Sequence, residues 1–281
     1  MPTHRFFCGR LPAPAAPAIP PAGITPTGIA QPVPSSLSAD HVQFDEDDAH
    51  HARRVLRLSV GDRVELLDGR GRVAQATVIA LKPDVLAGVE MVHEFQPLQP
   101  RLIVAGPLPK GDRADAMINS LAQLGVDQFI PLATERGVVK PRGTKIGRLS
   151  KVSREAAKQS GCPWLMDITP VASLPDVMAM PADDRRIATG PGPAERELAT
   201  VTSHIVAHSN SATSESTHTD SPPATHDSTV LVLIGPEGGW TPAEHDAARQ
   251  AGFAAWRLGP HIMRIETAAC AAAAIIRAGT R

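Results

Sequence analysis

A chain of 281 residues, 42% of them hydrophobic, is long enough to fill two ordinary cores. Its 28 Lys and Arg against 29 Asp and Glu leave a formal net charge of −1, which excludes a uniformly basic nucleic-acid binder but not a local basic patch. Cys8, Cys162 and Cys270 form no CxxC or CxxH pair, so neither a disulfide framework nor a metal site is expected. Without a run of eighteen apolar residues or a secretory pattern in "MPTHRFFCGR", the expectation is a soluble cytoplasmic protein with no membrane partner.

In chain order, "HRFFCGR" reads as a first strand. Residues 11–39 are then dominated by Pro, Ala, Ser and Thr, too poor in apolar surface to offset their ordering entropy, and read as an insertion. "DDAHHARRVLRLSVGD" predicts a helix begun by acids, with Val55, Leu56 and Leu58 apolar, ending near Gly61. The short apolar runs from Arg63 to Val92 are broken at Asp68-Gly69, Gly71 and Lys82-Pro83-Asp84. They predict hairpins and hence a small β-barrel over residues 1–96.

From residue 97 onward the rhythm becomes strand, loop, helix. "RLIVAGPL" and "VDQFIPLATE" are strands around a helix on which Met117, Ile118, Leu121 and Leu124 recur at helical spacing. This predicts an α/β domain with a parallel sheet over 97–281. The segment Arg136–Lys158 carries eight Lys or Arg and one acid, Glu155, and contains a helix from about Ile146 to Gln159. Such a run is either a solvated helix face or a phosphate-neutralising patch, and composition leaves both open. "RRIATGPG" is a third strand, and 204–228 is nearly without apolar residues and reads as a second insertion. Its four irregularly spaced histidines do not make a metal tract.

"TVLVLIG" is a buried strand, and Thr241-Pro242-Ala243-Glu244 has the form of a capping box with proline at the first helical position. "FAAWRL" is the next strand, and a helix rich in small residues starts at about Glu266. Gly235, Gly238, Gly239 and Gly259 therefore fall in turns at the carboxyl ends of two strands, where open α/β sheets place their ligands. Neither GxGxxG nor GxxxxGK[ST] is present, which disfavours a pyrophosphate ligand. Arg264 cannot deprotonate and suits an anion-orienting role. Glu266 either caps the last helix, the better fit to its position, or acts as a base.

"LIGPEGGWTPAEHDAA", "RLGPHIMRIETAA", "HARRVLRLSVGDRVELLDGRG" and "GPLPKGDRADAMINSLAQLGVDQFIPLATERGVV" closely resemble the bacterial 16S rRNA (uridine-N3) methyltransferases of the SPOUT superfamily. The resemblance covers nearly all of the chain outside the two insertions. It implies a PUA-like β-barrel, a SPOUT α/β domain with a trefoil knot, a homodimer, and S-adenosyl-L-methionine held in the knot. It assigns the cofactor to Leu233, Ile234, Gly235, Pro236, Glu237, Gly238 and Gly239, to Leu258, Gly259, Ile262 and Met263, and to Thr267 and Ala268, with Thr189 and Gly190 closing the pocket. It makes Arg264 the group that holds the uracil, with Glu266 a candidate base. Small-subunit rRNA, free or in the 30S particle, would meet Arg53, Arg54, Arg57, Lys110, Arg113, Arg136, Lys140, Arg142, Arg154 and Gln159.

The chain departs from the family's pattern at Ser120, Gln123, Lys158 and Cys162, all expected on the RNA side, where they would tune substrate preference. Two rivals to the expected activity are a paralogue methylating another RNA nucleotide and a non-catalytic RNA-binding protein of ribosome assembly that retains the fold. The intact glycine turn and Arg264 argue against the second.

Overall fold

The computed structural model describes residues 4–13, 41–137, 143–189 and 228–279. It divides into two units, Met1–Pro97 with Ala157–Leu165, and Leu98–Ala156 with Met166–Arg281. Gly190, Lys140, Arg142 and residues 14–39 and 204–227 lie outside the described residues.

The first unit is a five-stranded sheet, order β1-β3-β4-β5-β2, of β1 (His4–Phe7), β2 (His41–Gln43), β3 (Arg63–Leu67), β4 (Arg72–Ala80) and β5 (Leu86–Glu94). Only β1 and β3 pair in parallel. The edges meet at an antiparallel bridge between Cys8 and Phe44, so the sheet curls into a half-barrel. Alternate residues fill it, Val64 and Leu66 on β3 and Ala74, Ala76 and Val78 on β4, as the two-residue period of a strand requires. Phe6 and Phe44 stack against each other with ring centroids 4.8 Å apart.

Two sequence expectations fail in this unit. Leu11, counted into the insertion, is 1% exposed and belongs to the barrel core. The helix α1 (Glu46–Arg54) stops short of Gly61, because Arg57 takes a left-handed backbone angle (φ 52°) that no α-helix accommodates; Val55 is left 61% exposed while Leu58 turns inward.

Residues 157–165, which the sequence assigns to the second domain, also belong here. The Lys158 ammonium donates to the Asp48 carboxylate at 2.7 Å in a nearly dry setting, and Asp48 accepts the Phe7 amide at 2.6 Å. Arg5 donates to the carbonyl of Lys158. Trp164 lies so close to Gly71 (φ 95°) that a β-carbon there would be 2.4 Å from the indole, so the turn between β3 and β4 must be glycine.

The second unit is a seven-stranded sheet with every pairing parallel. Its order is β12-β10-β11-β6-β7-β8, with β9 also paired to β7. In chain order the elements are β6 (Arg101–Gly106), α2 (Asp112–Gln123), β7 (Gln128–Ala133), α3 (Gly143–Ser160), β8 (Asp167–Ile168), β9 (Ala172–Ser173) and α4 (Leu174–Met178). They continue with β10 (Asp184–Thr189), β11 (Thr229–Leu233), α5 (Pro242–Gln250), β12 (Ala254–Arg257) and α6 (Ile265–Ala278). The sheet is buried on both faces, which explains its continuous apolar strands. Leu102, Val104, Val230 and Val232 pack with α2 and α6, while Ile103, Ala105, Leu231 and Leu233 pack with Val177 of α4 and Ala248 of α5.

α6 runs back from the edge strand β12 to pack on α2 and β6. Ala269, Ala272 and Ala273, its inward residues, are at most 1% exposed, and their small side chains let the helix lie close to its neighbours. At its far end the Arg277 guanidinium donates to the carbonyls of Pro100 and Gly125 and to Asp127, which in turn accepts the Leu102 amide.

Candidate active site

The order of the parallel sheet reverses direction between β6 and β11: the chain builds outward from β6 through β7 and β8 on one side, and β11, β10 and β12 lie on the other. A crevice at the carboxyl ends of the strands flanking such a reversal is the ligand position of open α/β sheets. The loops after β6, β7, β11 and β12, and Thr189 at the end of β10, all emerge there. Pro107, Leu108, Pro109 and Lys110 share one cavity with Gly137, Pro236, Glu237 and Ile265. A second cavity of about 450 Å³ is lined by Arg113, Glu237, Ile262, Met263 and Arg264.

The turn after β11 is built by its glycines and by Trp240. A β-carbon on Gly235 would come within 2.9 Å of the Trp240 indole nitrogen, which itself donates to the Ala188 carbonyl at 3.0 Å. The Gly239 amide closes the turn on the Pro236 carbonyl at 2.9 Å, and Gly239 has φ +70°, open to glycine at no steric cost. Arg136 donates to the Gly238 carbonyl at 2.9 Å. Immediately beyond, Thr241 and Glu244 form the reciprocal capping box that the sequence predicts, so the turn ends on a fixed helix start.

The second loop runs from Leu258 to Arg264. Arg257 folds back to donate to the Gly259 carbonyl at 3.1 Å, and a β-carbon on Gly259 would meet the Met263 methyl at 2.7 Å. Ile262 at the loop's crest is 80% exposed, unusual for so apolar a side chain and in keeping with its place on the cavity wall. Arg264 is the residue preceding α6, exposed, and its side chain does not cap the helix. Thr267 is exposed and Ala268 half-buried on the first turn of α6.

Glu266 does not cap either. Its carboxylate faces Arg113 of α2 at 3.5 Å, and Arg113 also donates to Glu237 at 3.1 Å. The second Glu266 oxygen is buried without a hydrogen-bond partner. The residue before the helix is Arg264, whose side chain has no acceptor to offer the first-turn amides.

Other expected RNA residues divide. Arg53, Arg54 and Arg57 are exposed on the barrel unit, Arg53 donating to the Pro83 carbonyl. Lys110, Arg136 and Gln159 are exposed and Arg154 half-buried. Three of the four departures make protein contacts. Lys158 is consumed by Asp48, Cys162 packs against the cluster of Phe7, Leu67 and Ala157 with its thiol on the Trp164 carbonyl, and Ser120 hydrogen-bonds the Cys270 thiol of α6. Gln123 is exposed and donates to Asn119. Sequence reasoning also missed Trp240 and the Pro107–Pro109 loop. The signal for the loop was present, since "GPLPKG" follows a strand as "GPEGG" does.

An RNA methyltransferase domain model matches residues 96–277, and a model described as the RNA methyltransferase PUA domain matches 44–87. The chain belongs to the RNA methyltransferase family. It is 33% identical over 229 residues to the Ribosomal RNA small subunit methyltransferase E of Synechocystis sp., covering 82% of this chain and 70% of that one. It is 30% identical over 233 residues to the protein of the same name from Mycobacterium bovis, 81% and 82% covered. Among solved structures, a probable rRNA-methyltransferase from Porphyromonas gingivalis superposes with TM-score 0.66 at 27% identity, covering 86% of this chain and 94% of that one. A Ribosomal RNA small subunit methyltransferase E from Neisseria gonorrhoeae, bound to S-adenosyl methionine, shares the fold with TM-score 0.72 at 21% identity, 98% and 97% covered. Among the described residues no helix is long and apolar enough to cross a membrane.

Proposed function

We propose that this chain methylates N3 of a uridine in small-subunit rRNA with S-adenosyl-L-methionine as donor. The observation that carries the reading is the convergence of two glycine-dependent turns, 235–239 and 258–263, with Arg264 at the carboxyl ends of parallel strands, in a chain of this family. The lining of the larger cavity joins the apolar Ile262 and Met263 to both signs of charge, Arg113 and Arg264 with Glu237, which suits a ligand with an aromatic ring and a zwitterionic end.

When bound, the donor supplies a methyl group on a cationic sulfur. Leu233 to Gly239, Leu258, Gly259, Ile262, Met263, Thr189 and the first turn of α6 at Thr267 and Ala268 hold it, chiefly through backbone made accessible by the glycines. The uracil imide must lose its N3 proton before the nitrogen can attack. Arg264, exposed and always charged, stabilises the resulting anion. Glu266, in the first turn of α6 two residues after Arg264, is the candidate acceptor of the proton. The turn fixes the direction of approach, so the protein contributes alignment more than covalent chemistry.

We take the second unit to carry a trefoil knot and the active protein to be a cytoplasmic homodimer. The barrel unit's Arg53, Arg54 and Arg57, with Lys110, Arg136 and Arg154, are assigned to rRNA phosphates. Transfer of a labelled methyl group to small-subunit particles from a strain lacking this gene, mapped by mass spectrometry, tests the reading. One methylated uridine at N3 is expected. Label on another nucleotide, or none with donor bound, overturns it.

A further inference from the structure

Arg113, one of the basic residues expected to contact RNA, has its guanidinium against two carboxylates. It comes from the first turn of α2 and reaches two carboxylates on separate segments: Glu237 in the middle of the glycine turn, at 3.1 Å, and Glu266 in the first turn of α6, at 3.5 Å. It is about one-third exposed and Glu266 less than one-fifth, so the pairing with Glu266 is only partly screened by water. The same three elements bound the larger cavity, whose lining includes both Arg113 and Glu237. Gly238 and Gly239 offer no side chains, so the turn between Pro236 and Trp240 is held through its backbone and through Glu237. Among the described residues its polar tethers include the Arg136 bond to the Gly238 carbonyl, the internal amide bond of Gly239 and Arg113, with the Trp240 indole and the Thr241 capping box fixing its exit.

From this geometry we infer that Arg113 is a positioning residue that clamps the glycine turn to the start of α6 and so shapes the methyl-donor site, and that it is not an RNA contact. The inference rests on the proposed function for the identity of the ligand. Its physical content is that a single guanidinium nitrogen, Nη1, donates to Glu237 and stands 3.5 Å from the Glu266 carboxylate, so one positive charge is shared by two acids on separate segments. Glu237 and the start of α6 are then held at fixed separation, and the cavity lined by Arg113, Glu237 and Arg264 keeps its width before any ligand arrives.

The test uses the full-length protein with Arg113→Met, which keeps the stem and removes the donors, and Arg113→Lys, which keeps the charge. Calorimetry with S-adenosylmethionine should show donor affinity falling of the order of tenfold in Arg113→Met, the effect of losing one charged hydrogen bond, with partial recovery in Arg113→Lys. Hydrogen exchange on the ligand-free protein should show faster exchange confined to the amides of residues 237–239 and the first turn of α6. The KM for rRNA and the salt slope of rRNA binding should stay at native values. A phosphate contact predicts the reverse, with unchanged donor affinity, a raised KM for rRNA and a salt slope reduced by about one, and that result overturns the inference. Exchange raised throughout the unit would mark a merely structural role and also overturns it. Native protein that binds donor tightly but methylates nothing would instead count against the proposed function and leave the clamp standing.

Discussion

At the scale of single residues, the site's glycines are required for different reasons, and substitutions separate them. Gly235→Ala drives a methyl into the Trp240 indole and breaks its bond to Ala188, so it should cost about 1–3 kcal/mol, the range for overpacking, and weaken donor binding; chemical denaturation and calorimetry measure both. At Gly239 no atom lies within 4 Å of an added β-carbon, and the penalty comes from φ +70° alone. Gly239→Ala should therefore cost only about 1–2 kcal/mol, and Gly239→Asn less, since asparagine tolerates the left-handed region. Cys270 offers a chemical reading of the same neighbourhood. Burial pushes its thiol pKa up and the Glu266 charge adds to this, while the Ser120 hydrogen bond opposes it. The thiol thus stays protonated at pH values where an exposed cysteine begins to ionise. Its alkylation, followed by peptide mass mapping, should be slower than that of a free thiol at pH 8 and should accelerate in Ser120→Ala only if the helices loosen.

At the scale of elements, charge and packing override what position along the chain suggests. The basic run 136–158 looks uniform in sequence, yet its last member is withdrawn from solvent: Lys158 is 11% exposed and Asp48 5%. Lys158→Ala removes the ammonium from a nearly dry Asp48 carboxylate, and a loss of about 3–5 kcal/mol is expected in thermal or denaturant unfolding, far beyond the cost of removing a surface lysine. A loss under 1 kcal/mol would show that water compensates the acid. The helix α5 illustrates a legible element. Its capping box was readable because all four residues that make it are consecutive, and Thr241→Ala should remove about 1 kcal/mol. By contrast β8, β9 and α4 have two to five residues each, too few to display a period, and they exist because neighbours pair with them.

At the scale of the whole molecule, a net charge of −1 coexists with an RNA substrate because the arginines at 53, 54 and 57 are exposed together while many other basic groups are spent internally, as Arg5, Lys158 and Arg277 are. Neutralising Arg53, Arg54 and Arg57 to Gln one at a time should lower rRNA affinity uniformly across sequences and reduce the salt slope by about one per true phosphate contact, read from binding titrations at several salt concentrations. The amino-acid sequence by itself determined the division into a strand-rich and an alternating α/β region, most strands and helices of the second unit, and the two glycine turns. Each of these is a local pattern of period, cap or turn residue, decided within a few positions by backbone sterics and side-chain alternation. Only the tertiary structure decided that residues 157–165 join the barrel, that Ser120, Lys158 and Cys162 face protein, and that Arg113 serves two acids. Those depend on which distant groups are brought together once the backbone is folded, since a charge or thiol is spent or available according to what lies within about 3–4 Å of it, and no local pattern carries that distance.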